Sequence, residues 1–295
     1  MDPGPALGAL CALGSALTWT IISLLVRTLA ETFSTVRLNA LRSVFGGIFL
    51  LLWVLLLDRG MGLTQVSPAA FALLALSVVG PSLGDTLFFE STRSLGLARA
   101  LTVSMIYPLI TALLAVGLLG ERITGRLAAG MLLTLGGLAL IVTGRGTAPP
   151  EATTPSWKGL GTALLAALAW AVSVILMKPA LGEVDATTAQ AIRLPLAGIV
   201  LFALPWARGA VDQLMRSRGQ IQLRVLWVGG LTAVSSLMFV AGLKYAGATV
   251  GTVLSSTSPL FAIPFGLVFL GERLAARTVL GAILTVAGIA VMQPK

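Results

Sequence analysis

The chain has 295 residues, of which 57% are hydrophobic and 11% charged, at a mean hydropathy of +0.97; that balance excludes a water-soluble domain. Its formal charge of +9 falls in loops and helix ends, where it suits anionic headgroups better than nucleic acid. With no histidine and a single cysteine, Cys11, the chain lacks the usual base of a hydrolase and any intrachain disulfide, and neither a metal nor a cofactor is expected.

Apolar runs long enough to cross a bilayer, about 20 residues each, are predicted near 7–26, 38–57, 69–91, 100–119 and 124–143. Five more follow near 159–177, 190–206, 225–243, 249–270 and 275–293. Segments such as Leu127 to Val142 are apolar throughout, with glycines at helix-packing spacing, whereas barrel strands would alternate. The first run lacks the basic flank of a signal peptide and is expected to be retained. The proline-bearing stretch 144–158 is the predicted linker between a first unit, 1–143, and a second, 159–295.

The second set of runs repeats the first at a shift of 151 residues without a gap. Trp19 falls on Trp170, Arg42 on Arg193, Phe88 on Phe239 and Pro108 on Pro259, while Gly120-Glu121-Arg122 falls on Gly271-Glu272-Arg273. Five spans per copy is an odd number, so the second copy starts on the opposite face. The expected architecture is an all-α integral membrane protein of ten transmembrane helices, arranged as two inverted five-helix repeats. Carriers use such pairs to hold a solute near mid-depth while the halves alternate access.

Asp85 lies near the middle of the third span and aligns with Ser236. A carboxylate at that depth costs about 2.5–3.5 kcal/mol on insertion scales. It is expected either to bind a proton or a solute group in a wet cavity, or to hydrogen-bond a neighbouring helix for packing. Glu90 can reach Arg93 in an interfacial pair. Arg93, Lys244, Arg27 and Lys178 occupy helix ends, where long cations snorkel. Arg42 and Arg193 begin matched spans, the wrong end for a helix dipole, and so call for specific partners.

Pro108 and Pro259 interrupt the fourth and ninth spans and free the carbonyls of Ser104 and Ser255. Hydroxyls stand nearby in both copies: Thr102, Ser104, Tyr107 and Thr111, then Ser255, Ser256, Thr257 and Ser258. Paired broken helices mark the substrate sites of many carriers, although a simple kink satisfied by local hydroxyls has the same signature. Trp19 and Trp170 lie inside their spans, and with Phe88, Phe239 and Tyr107 they can form an aromatic wall or pack as core. Glu121 and Glu272 follow helix-ending glycines and are read as dipole partners of the next helix. Gly80-Pro81-Ser82-Leu83-Gly84 has the spacing of a nucleophile elbow, but that motif needs a histidine; its glycines are read as close-packing residues.

The run Phe239-Val-Ala-Gly-Leu-Lys-Tyr-Ala-Gly-Ala-Thr, then Ser258-Pro-Leu, Phe269-Leu-Gly-Glu-Arg-Leu and Gly281, resembles the EamA family of the drug/metabolite transporter superfamily. A weaker copy runs from Phe88 to Leu97, then Tyr107-Pro-Leu, Leu119-Gly-Glu-Arg-Ile and Gly130. The resemblance implies ten helices around a central cavity, a multi-pass place in the cell membrane, and movement of small organic solutes, often outward. It also implies both termini inside. The positive-inside rule points the other way, because eight of the ten unmatched basic residues fall in odd-numbered loops.

The expected protein is therefore a secondary carrier of amino-acid-like or related metabolites working by alternating access, with spans 1, 3, 4, 6, 8 and 9 around the cavity; the resemblance favours export, and an uptake carrier of the same fold is the alternative. Protons are the candidate coupling ion, a monomer suffices, and the lipid bilayer and a small solute are the partners. A membrane-embedded enzyme is disfavoured by the missing histidine, and all four lysines lie in loops or at helix ends. A channel is disfavoured by the lack of charged rings or a carbonyl filter.

Overall fold

A computed structural model describes residues 4–57, 60–95, 100, 103–104, 106–144, 157–261, 263–264 and 275–292. Among them the secondary structure is helical, with no strand. In chain order the first half supplies α1 (Gly4–Leu29), α2 (Thr35–Leu57), α3 (Pro68–Leu76), α4 (Asp85–Leu95), α5 (Tyr107–Leu119) and α6 (Gly125–Gly144). The second half supplies α7 (Trp157–Ala180), α8 (Ala186–Ala203), α9 (Gly219–Ala246), α10 (Ala248–Ser255) and α11 (Ala276–Met292). Among the described residues, seven segments are apolar and long enough to cross a membrane, α3 through α4 counting as one of 28 residues. Most of the predicted linker, residues 145–156, lies outside the described residues, as do Thr102, Phe269 and Glu272.

Local chemistry sets the ends. Ser67 caps α3 by accepting the Ala70 N–H at 3.1 Å, with Pro68 in the first turn where no amide is needed. Asp185 caps α8, accepting the N–H groups of Thr187 and Thr188 at 2.7 and 2.9 Å. Partial desolvation raises the pKa of that carboxyl, but hydrogen bonds from Thr188 and Thr187 outweigh it and hold the group below its ordinary value. Gly120 ends α5 at φ +67°, a left-handed turn that suits glycine.

The prolines act differently from a mid-helix kink. Pro108 stands in the first turn of α5, so the fourth span is broken just upstream of it; α10 stops at Ser255, and a turn at Ser256 and Thr257 precedes Pro259. The third span carries a break that the sequence reading did not assign. Between α3 and α4 the chain widens into a π-helical turn, Gly80–Gly84, around Pro81. Gly80 there lies against Ser173, and Gly84 against Trp170 and Ala169, the close approach expected of those glycines.

Packing pairs each helix with one from the other half. α1 lies along α9, α2 along α8, the third span along α7, α5 on α10 and α7, and α6 along α11. Contacts recur with the halves exchanged. Gly8 abuts Tyr245 and Ala246, and its counterpart Gly159 abuts Ser94 and Leu95; Gly47 abuts Pro195, and Gly198 abuts Val44. Matched helices run antiparallel: along α6 the close contacts pass from Gly130 to Gly137, while on α11 they pass from Gly288 back to Gly281. Outward faces expose Trp53, Leu56, Leu132, Ile199, Trp227 and Ile283. Such apolar exposure suits hydrocarbon, while the inner faces close into apolar clusters.

Candidate functional site

A cavity of about 180 Å³ lies between the halves. One water needs only about 10–15 Å³ of such space, so a small organic molecule is within its capacity. Eleven of the twelve sequence-selected residues line it: Asp85, Tyr107, Ser104, Trp19, Trp170, Phe88, Phe239, Ser236, Ser255, Ser258 and Pro259. Pro108 does not, since it sits behind Tyr107 in the first turn of α5. Spans 2 and 7 also contribute, through Arg42 and through Gln190, Arg193 and Leu194, which widens the expected set of lining helices.

Asp85 begins α4 directly after the π turn, and both of its oxygens are engaged. Oδ1 accepts the Trp170 indole N–H at 2.8 Å, and Oδ2 forms a buried ion pair with Nη2 of Arg42. The pair answers the cost of a carboxylate at this depth, and it gives Arg42 the specific partner its position demands. Arg42 is 1% exposed. Its Nε donates to Asn39 Oδ1 at 2.8 Å, and Nη1 reaches Thr232 Oγ1 at 3.5 Å. Its guanidinium also lies 5.4 Å from the Trp19 ring centroid and 5.3 Å from that of Phe89, within cation–π range. Asn39 in turn donates to Pro81 O and Thr86 Oγ1, both at 3.0 Å, which ties α2 to the π turn.

Arg193 has no carboxylate among the described residues. Pro81 cannot donate to the carbonyl four residues back, and that oxygen, Ser77 O, keeps a turn bond from Gly80 N at 3.2 Å and also accepts from Arg193 Nη2 at 3.2 Å and from Ser173 Oγ at 2.5 Å. Nε donates to Ser77 Oγ at 2.6 Å, Nη1 to Gln190 Oε1 at 2.8 Å, and Nη2 also to Ser173 Oγ at 2.9 Å. All of these acceptors are neutral. At 3% exposure the cation is buried with no carboxylate in hydrogen-bond contact among the described residues, and it feels Asp85 only through space.

Aromatic rings close the sides. Trp170 meets Phe88 at 5.2 Å and Tyr107 edge-on at 5.5 Å, and Trp19 stacks on Phe89 at 6.3 Å. The broken spans find partners there: Tyr107 OH donates to Thr252 O at 3.0 Å, and Thr20 Oγ1 to Ser258 O at 2.9 Å. Ser104 Oγ bonds back to Ala100 O at 2.5 Å and Ser236 Oγ to Ala233 O at 3.0 Å, whereas Ser255 Oγ is buried with no partner among the described residues.

The remaining charges lie away from the cavity. Glu121 does not cap the helix that follows it; its carboxylate accepts Ala248 N at 2.7 Å and Thr249 N at 3.2 Å, capping α10 of the other half. Lys178 and Lys244 do not simply snorkel, because Lys178 Nζ donates to Leu243 O at 2.5 Å and Lys244 Nζ to Val184 O at 2.6 Å. The Glu90–Arg93 pair is long, 3.9 Å, and exposed, as read from the sequence. Sequence reasoning missed Ser77, Ser173, Gln190 and Asn39, although an amide three residues before each matched arginine was a signal in plain view.

Apolar helices around a buried polar cavity define a multi-pass membrane protein with an internal cavity. Comparison with known proteins agrees: the model of the EamA-like transporter family matches residues 6–143 and 157–293, and the chain belongs to that family, part of the drug/metabolite transporter superfamily. It is 26% identical over 273 residues to an uncharacterized transporter of Archaeoglobus fulgidus, covering 92% of each chain. It is also 27% identical over 137 residues to the uncharacterized transporter YvbV of Bacillus subtilis, covering 46% of this chain and 45% of that one. One solved crystal structure matches 96% of this chain and 94% of its own at a TM-score of 0.76 and 20% identity, a likeness of fold.

Proposed function

We propose that the protein is a secondary carrier that moves small amino-acid-like or related metabolites out of the cell by alternating access. The carrying observation is that the cavity straddles the two halves and takes matched residues from each: Trp19 with Trp170, Arg42 with Arg193, Asp85 with Ser236, Phe88 with Phe239, Ser104 with Ser255, and Tyr107 with Ser258. A site on a pseudo-two-fold axis stays central when one half rocks against the other. Support for inverted five-helix repeats, 1–143 and 159–295 joined by 144–158, comes from the exchanged glycine contacts and the antiparallel course of α6 and α11.

In this reading the Arg42–Asp85 pair is the coupling element. Asp85 also holds Trp170, so a proton or solute that opens the pair also frees an aromatic wall residue. The test is solute exchange in proteoliposomes loaded with a metabolite mixture. A carrier gives saturable flux stimulated by solute on the far side; non-saturating flux without that stimulation overturns the reading. Asp85→Asn is expected to abolish the flux or displace its pH dependence in protein that still folds, and unchanged pH-dependent flux removes Asp85 from the mechanism.

A further inference from the structure

Resting on the carrier reading above, and narrowing its solutes from amino acids to related carboxylates without an ammonium group, the geometry points to the class of solute: we propose that the cavity takes a solute of net charge −1, a carboxylate on an apolar or aromatic body, and that its carboxylate pairs with Arg193. Among the described lining residues, the charged groups are Arg42, Asp85 and Arg193. Two guanidiniums face one carboxylate, which leaves the site one positive charge in excess. Asp85 carries one negative charge, which it places in direct contact with Arg42 and Trp170; it acts on Arg193 only through space and cannot neutralise both cations.

The excess sits on Arg193. The repeat shows why: the residue that matches Asp85 is Ser236, whose hydroxyl turns back to its own helix at Ala233 O. The Arg193 guanidinium has five N–H groups and makes four hydrogen bonds, all to neutral acceptors. A carboxylate takes the remaining Nη1 N–H in a charge-assisted bond, gains a second where it displaces the Gln190 acceptor, and restores neutrality. Ser255 Oγ offers a further polar contact, and the rings of Trp170, Phe88, Tyr107 and Phe239 form walls for an apolar body. A cation meets the excess charge as repulsion; a zwitterion leaves it uncompensated.

Full-length protein is titrated by thermal shift with four probes of similar size: benzoate, benzamide, benzylamine and phenylalanine. Benzoate is expected to raise the unfolding midpoint with an apparent Kd at least tenfold below the other three. Arg193→Gln removes that preference, and Arg193→Lys keeps part of it. Ser236→Asp supplies the missing carboxylate within the protein and should abolish benzoate binding with the fold intact, so the result does not hang on the stability of an Arg193 variant. Equal or tighter binding of benzamide, benzylamine or phenylalanine overturns the inference, as does benzoate preference that survives both Arg193→Gln and Ser236→Asp. Saturable exchange of uncharged or cationic solutes with no response to benzoate sinks the anion site and leaves the carrier; benzoate binding without exchange of any solute does the reverse.

Discussion

Arg42 and Arg193 stand at the same place in the two halves and begin with the same local device. Each is held by an amide side chain three residues upstream, Asn39 or Gln190, at 2.8 Å. Beyond that their surroundings part. Arg42 meets a carboxylate and two aromatic faces; Arg193 meets hydroxyls and the Ser77 carbonyl. Duplication delivered two buried cations, and a single carboxylate, present in one copy as Asp85 and replaced in the other by Ser236, made one site self-sufficient and left the other unfilled.

This contrast is open to direct attack. Arg42→Gln strands Asp85 in the interior, and chemical denaturation should find a loss of about 3–5 kcal/mol. Asp85→Asn should cost less, about 1.5–3 kcal/mol by the same assay, since Arg42 keeps Asn39 and two ring faces. Arg193→Gln is expected to shift stability by under about 1 kcal/mol, because it removes an unpaired buried charge together with its hydrogen bonds. Losses from Arg193→Gln as large as those from Arg42→Gln would erase the distinction between the two sites. Glu90→Gln, at an exposed pair outside the cavity, should change unfolding by no more than about 0.5 kcal/mol.

Much of this centre was legible from the chain because cost betrays purpose in a membrane. A mid-span Asp85, two off-end arginines, two tryptophans away from the interface and a pair of broken spans are each expensive or misplaced, and most of them meet around one cavity. What stayed hidden depended on neighbours distant in sequence. Pro81 reads as one residue in a small-residue stretch until Arg193 and Ser173 are seen on the Ser77 carbonyl. Glu121 reads as a partner for the helix that begins four residues later, and only the packing of α5 on α10 redirects it to Ala248 and Thr249. Periodicity locates apolar helices, but it does not say which helix end a loop carboxylate will meet.

The Glu121 clasp sets a condition on any motion at that end of the molecule. A loop from one half satisfies the leading amides of a helix in the other, and Lys178 ties two further helix ends together close by. If the halves part there, those amides must be handed to water as the carboxylate withdraws; if the clasp holds, the loop must travel with α10 as one body. Any opening on that face would therefore exchange a discrete set of protein hydrogen bonds for bonds to bulk water.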